Sequence, residues 1–412
     1  MIRFSLKSLG TYRNYLISLI LLVSIFSWRQ ISFLTINNYL LGENADYMRK
    51  MLLHGVYYFF MIIGILTATI LSKSLYKFRV HLWAFFTIVA SALMLFPQAT
   101  KIDIIPLIYS ISSGALFGLG FPICFAYFAE ITTIQKRGRI GAIIFFLISL
   151  IFVMFGAVVE NLNLKEFSLF VILWMTTILI LLWKVKTSGL FKKRETKFKS
   201  VISSRPFLLY FISWSMYCSI DLLEAPLLQN FLNNIFGTEF RNLILLLGTT
   251  FTAFSILLAG FLIDFYGRKK VLLYGFIALG IAYATISIAP YNILLWYLYS
   301  VINGIATGFF IVILLFTIWG DLSPQGASEK YYALGGLPYI SIVVIKEIIS
   351  PYVILIPVTA AFSFASFFLF LAVLPLMYAP ETLPEKVIRH RELKKYVEKA
   401  KKIREKYEKG ED

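Results

Sequence analysis

The chain has 412 residues, 59% of them hydrophobic and 15% charged, with a mean hydropathy of +0.79. A water-soluble protein of this length spreads charge over its whole surface, so the composition excludes an ordinary globular enzyme. The formal charge of +17 would suit nucleic acid, but in a chain this apolar the placement of charge matters more than its sum, and no nucleic-acid partner is expected.

A helix needs about 20 apolar residues to cross a hydrocarbon layer of roughly 30 Å. Stretches near that length fall at 14–37, 51–72, 80–97, 103–128, 140–159, 167–183, 206–231, 242–263, 271–290, 293–319, 333–350 and 357–378. The first is too long for a secretory leader and lacks a small-residue cleavage site. Leu245, Leu246 and Leu247 run without alternation, which argues for helices rather than a barrel, since a helix satisfies every backbone group within its own segment. Lys346, Glu347 and Pro351 predict an outer turn that leaves the eleventh span short. Cys124 and Cys218 both lie in apolar runs, which argues against a disulfide framework or a thiolate metal site. Neither a metal nor a cofactor is expected.

Lysines and arginines set the orientation. With both termini inside, 32 of the 39 fall on the cytoplasmic face, six fall outside and Arg29 lies within a span. The chain then divides into a six-helix unit over 1–183, a basic cytoplasmic linker over 184–205, a second unit over 206–378 and a charged cytoplasmic tail over 379–412. The tail mixes eleven basic with eight acidic residues at helical spacing, a pattern expected of a solvated or surface-lying helix. The excess charge thus faces anionic lipid headgroups of the cell membrane.

The two units are related. YSISSGALFG at 109–118 aligns with YSVINGIATG at 299–308 at an offset of 190; Glu130 and Arg139 correspond to Asp321 and Lys330 at 191; Lys77-Phe78-Arg79 corresponds to Arg268-Lys269-Lys270, also at 191. Three matches in register predict duplication of a six-helix unit, with a solute held between the halves near the midplane.

GFLIDFYGRKKVLL at 260–273 resembles the signature loop between the second and third helices of a major facilitator superfamily repeat. In the first-half copy Lys73 stands for the Asp and Tyr76 for the Gly, which makes the inner gate asymmetric. AEITTIQKRGRIG at 129–141 is similar to the loop after the fourth helix in sugar-porter and metabolite:proton symporter branches. GDLSPQGASEKYYALGG at 320–336 resembles its second copy, and PETLPEK at 380–386 is similar to the loop after the last helix. The resemblance implies an all-α membrane protein with twelve transmembrane helices in two pseudo-symmetric six-helix bundles. It also implies that Asp264, Gly267 and Arg268 act at the inner gate. Glu130 with Arg137 or Arg139, and Asp321 with Lys330, are then the charge pairs that break and re-form between states.

Ionisable groups inside spans carry the rest. Arg29 and Asp221 each follow the start of their span by 15 residues, about 22 Å from the inner face, and their offset of 192 gives them equivalent places with opposite charge. Glu224 follows Asp221 by three residues on the same helix face. Burying such a group costs on the order of 2.5 to 3.5 kcal/mol, which predicts a central cavity rather than lipid. In the family that this chain resembles, the first, fourth, seventh and tenth helices line that cavity. Arg29 is then expected to face an anionic or polar solute group, with Asp221 and Glu224 carrying a coupling proton; a permanent Arg29–Asp221 salt bridge clamping the halves is the structural alternative. Ser113 and Asn303 occupy equivalent cavity positions, and Trp28, Trp214 and Tyr217 are candidates to flank the solute. His54 is placed near an outer helix end.

These readings point to a secondary active transporter for a sugar or organic acid, monomeric and coupled to protons by symport. A proton-coupled multidrug exporter is the alternative within the class. A polytopic membrane enzyme or lipid-handling protein lies outside it.

Overall fold

The computed structural model describes residues 6–41, 46–71, 79–95, 104–184 and 196–384 with four positions of the tail, and side chains from residue 13 onward except those of Leu71 and Lys184. The first-repeat loop holding Lys73, Tyr76 and Lys77, the linker over 185–195 and most of the tail lie outside the described residues.

Helices account for nearly all of it. The first half contains α1 (Leu6–Leu34, continued by a π segment Thr35–Leu40), α2 (Tyr47–Leu71), α3 (Arg79–Ala92), α4 (Ile104–Ile131), α5 (Ile134–Asn161) and α6 (Leu164–Lys184). After the short α7 (Phe198–Ile202) come α8 (Arg205–Phe236), α9 (Thr238–Tyr266), α10 (Arg268–Ile288) and α11 (Ile293–Phe310). A π segment, Ile311–Thr317, joins α11 to α12 (Ile318–Leu322), and α13 (Ser328–Val353) and α14 (Val358–Tyr378) complete the chain. Eleven described helices, counting α11 through α12 as one, are long and apolar enough to cross a membrane.

Local chemistry sets the helix ends. Asn163 and Glu166 cap the start of α6 reciprocally, each carboxyl or amide oxygen accepting the other's backbone N–H at 3.0 Å. Gly267 separates α9 from α10 with φ +98°, a conformation that disfavours any Cβ.

The short span is the third rather than the eleventh. Its described part is 14 α-helical residues and one 3₁₀ turn, whereas α13 runs 26 residues straight through Lys346 and Glu347. Pro351 does not end α13 because its cost is met elsewhere. A proline removes the donor that the carbonyl four residues earlier would use, here that of Glu347. The Tyr47 hydroxyl donates to that carbonyl at 2.6 Å.

Packing repeats between halves. α2 lies on α4, α3 on α6 and α1 on α5; in the second half α9 lies on α11, α10 on α14 and α8 on α13. The same glycines make the equivalent crossing possible. A Cβ at Gly114 or Gly118 would strike the Tyr57 or Met61 carbonyl of α2, and one at Gly304 or Gly308 would strike the Gly248 carbonyl or the Ser255 hydroxyl of α9. Close backbone approach through small residues substitutes for the hydrophobic effect, which gives no preference for helix over lipid. The halves meet along α5 against α9 and, by the same pseudo-symmetry, α13 against α2.

Candidate functional site

At the end of the molecule that carries the loop motifs, the halves are locked together. Asp264 is inaccessible and takes the Arg139 backbone N–H at 3.2 Å and its Nε–H at 3.1 Å, while Arg268 Nη2 lies 3.2 Å from the other oxygen. Asp321 accepts from Arg137 Nη1 at 2.5 Å and from Arg268 Nε at 3.0 Å. Arg268 also donates to the Ile134 carbonyl. Two acids and an arginine of the second half therefore grip the first turns of α5, where the helix dipole also favours negative charge.

Small residues let the backbones come this close: a Cβ at Gly138 would lie 2.7 Å from Asp264, and one at Gly260 would lie 2.5 Å from the Ala142 Cβ. Above the ion pairs Phe316, on the π segment of the tenth span, packs edge-on against Phe125, Phe128 and Phe145 and stacks on Phe26, all from the first half.

Two anticipated pairings do not form. Asp321 bonds Arg137 and Arg268 rather than Lys330, whose Nζ donates to the Thr196 carbonyl and sits 5.0 Å from the Phe198 ring. Glu130 makes no ion pair with Arg137 or Arg139, and has no ion pair among the described residues. Repeat arithmetic explains both. Lys330 is the counterpart of Arg139, but the acid that would hold it is replaced by Lys73. Glu130 is the counterpart of Asp321, but the position equivalent to Arg137 is Ser328. Glu130 lines instead a cavity of about 540 Å³ with Thr132, Thr133, Ser323, Gln325 and Ser328.

Further groups enter this end that the motifs alone did not assign. Glu381 caps α10, accepting the Arg268 and Lys269 backbone N–H groups at 2.9 and 3.0 Å, and a Cβ on Gly267 would collide with it. Thr382 donates to Asp321 at 3.2 Å. Arg79 pairs across the halves with Glu329 at 2.6 Å; these are the repeat counterparts of Lys270 and Gly138, so only three-dimensional placement reveals the pair. The P-E-T string is the sequence signal for Glu381 and Thr382.

Deeper in, Arg29 and Asp221 are surrounded by protein yet keep part of their surface accessible. Arg29 Nη2 donates to the Tyr339 hydroxyl at 3.5 Å, across the seam between halves, and its guanidinium lies 5.8 Å from that ring. Asp221 lies near Tyr217 and within the field of Lys346. No Arg29–Asp221 salt bridge occurs among the described residues, so this conformation is not clamped that way.

Glu224 points elsewhere. Three residues turn a helix by about 300°, enough to carry its carboxylate into the second bundle, where the Tyr299 hydroxyl donates to it at 3.0 Å and the Tyr283 hydroxyl lies 3.4 Å from that of Tyr299. Trp28 and Ser113 are buried against each other, the indole N–H donating to the Ser113 carbonyl at 3.1 Å; they join α1 to α4. Trp214 donates to the Gly335 carbonyl and stacks on Tyr217, whose hydroxyl meets Thr307 at 3.2 Å. Asn303 is half-buried, with an amide oxygen that has no partner among the described residues. His54 is buried, its ring nitrogen 3.2 Å from Asn37 Oδ1.

No family model and no curated protein sequence matches the chain. Solved structures do. A major facilitator superfamily proton:xylose symporter, XylE, bound to 6-bromo-6-deoxy-D-glucose, aligns over 90% of this chain and 96% of its own with a TM-score of 0.67 at 13% identity. A bacterial homologue of the iron transporter ferroportin in an outward-facing state aligns over 89% and 98% with a TM-score of 0.66 at 17% identity. The architecture of this all-helical chain, two pseudo-symmetric bundles joined at a seam, is the major facilitator fold.

Proposed function

We propose that the chain is a secondary active transporter that moves a small polar or anionic solute across a membrane by alternating access. One observation carries the reading: the halves are bolted at one end by the Asp264–Arg139 and Asp321–Arg137 ion pairs, while Arg29 and Asp221 stay accessible deeper in the seam. An ion-paired closure at one end, with polar side chains left partly accessible beyond it, is what one state of an alternating-access cycle presents. Both structural neighbours are described as transporters, one of a sugar with protons and one a homologue of an iron transporter.

The bolted end carries the basic loops, so the orientation rule assigns it to the cytoplasm with both termini. The halves correspond to 1–183 and 206–378, with the basic segment between them as linker, and the chain acts as a monomer in the cell membrane. Asp221 is the group proposed to carry the coupling proton. It keeps part of its surface accessible, whereas Glu224 is tied to Tyr299 inside one bundle. Asp264, Gly267, Arg268, Arg137, Arg139 and Asp321 form the inner gate.

The test is solute flux into proteoliposomes with and without an imposed pH gradient. Gradient-driven accumulation that is lost in Asp221→Asn supports the reading. Flux unaffected by the gradient removes proton coupling, and efflux of uncharged lipophilic compounds that survives Arg29→Gln favours multidrug export instead.

A further inference from the structure

We infer that Arg29, Tyr58 and Tyr339 form the recognition site for a small organic monocarboxylate with an apolar body. The inference rests on the transporter reading and names the solute class. Its first support is a charge left over. Among the described residues no carboxylate reaches salt-bridge distance of Arg29, whose only side-chain partner there is the neutral Tyr339 hydroxyl at 3.5 Å. A guanidinium enclosed by protein without a counter-ion is costly, and an incoming anion relieves that cost.

Its second support is the count. The next cation along this wall, Lys346, lies seven residues beyond Tyr339, a rise of about 10 Å. It already has Glu347 at 3.9 Å. One uncompensated positive charge suits a monoanion; a phosphate dianion calls for two.

The third support is the surrounding chemistry. Guanidinium N–H groups form a fork that matches a carboxylate in two parallel hydrogen bonds; the Tyr339 phenol beside them is a further donor, and Tyr58 lies within the field of the same guanidinium. Tyr57 is not a further donor, because its hydroxyl is turned to the Arg29 carbonyl at 3.5 Å. The amide beside these rings, that of Asn37, is spent: its nitrogen donates to the Phe33 carbonyl and its oxygen meets His54. What remains is aromatic. Tyr58 packs edge-on to Tyr57 at 5.0 Å and stacks with His54 at 6.2 Å, which itself lies 5.8 Å from Phe33.

The experiment measures thermal stabilisation of the purified full chain by benzoate and butyrate. Benzamide and butyramide serve as uncharged counterparts, with xylose and inorganic phosphate beside them. At least one of the two carboxylates is expected to raise Tm saturably. Its apparent affinity is expected to fall at least tenfold in Arg29→Gln, less in Arg29→Lys, and severalfold in Tyr339→Phe. Arg29→Lys keeps the charge, so a variant that merely misfolds is recognised by its lowered Tm without ligand. Equal stabilisation by the amides, a larger shift with xylose or phosphate, or an unchanged response in a folded Arg29→Gln overturns the inference, as does failure of both carboxylates to bind. Arg29-dependent binding of a carboxylate without counterflow in proteoliposomes would sink the transporter reading and leave the site standing.

Discussion

Asp321 takes two guanidinium groups and a threonine hydroxyl with no exposed side-chain surface. Removing its charge leaves Arg137 and Arg268 facing each other in a site closed to water. Breaking a buried pair from one side typically costs about 3–5 kcal/mol. Asp321→Asn is therefore expected to lower Tm markedly, and Asp321→Asn with Arg137→Met to regain part of the loss. Equal Tm values for the single variant and the parent would show that the network contributes nothing to closure. Lys330 makes the opposite case. It bonds a linker carbonyl rather than an acid, so Lys330→Gln should change Tm by less than about 1 kcal/mol equivalent, the size of a typical single hydrogen bond.

Among the elements, α13 shows how a proline is kept inside a spanning helix. Its carbonyl at Glu347, deprived of an intrahelical donor by Pro351, receives the Tyr47 hydroxyl from α2 of the other half. Tyr47→Phe should cost roughly 0.5–1.5 kcal/mol in the parent chain and close to nothing in a Pro351→Ala background, where the helix supplies its own donor. A double-mutant cycle in Tm reads the coupling, and additive effects would contradict it. The glycine crossings behave as a matched pair. Gly118→Val and Gly308→Val each drive a side chain into backbone or hydroxyl atoms of the neighbouring helix, and overpacking of this kind costs typically 1–3 kcal/mol. Similar losses in both halves are the expected signature of the duplication. The π segment Ile311–Thr317 places Phe316 against four first-half rings shortly before the buried acid at Asp321.

For the whole molecule, the asymmetry of the lock is the leading feature. The second half contributes Asp264, Arg268, Asp321 and Glu381 to one face of it, whereas the first half answers with the start of α5 and with Arg79. Opening is thus expected to depend on the α5–α9 contact more than on its pseudo-symmetric partner. In a chain lacking Cys124 and Cys218, a cysteine in place of Tyr339 should react with an impermeant maleimide from the face opposite the basic loops. Adding Asp264→Asn and Asp321→Asn should shift that reactivity to the basic face. Labelling from the same face in both backgrounds would argue against a gate made of these pairs.

Composition and periodicity alone determined the helical membrane class, twelve segments and the duplication, because span length and hydropathy are fixed by the bilayer and need no tertiary contact. The offset near 191 even foretold which helices would pack as equivalents, since a duplicated sequence carries duplicated glycines. Pairing was another matter. Glu130 and Lys330 were assigned partners from the motif, but a salt bridge between halves depends on what the other copy has kept, and Lys73 and Ser328 had removed the complement. The direction of Glu224 turned on about 60° of helix rotation, which the spacing of two residues does not resolve. The length of the eleventh span depended on a tyrosine 300 positions away, a donor that no local pattern announces. Backbone satisfaction within a segment is a local matter and legible in the chain, while the partner of a buried charge is decided only where two bundles meet.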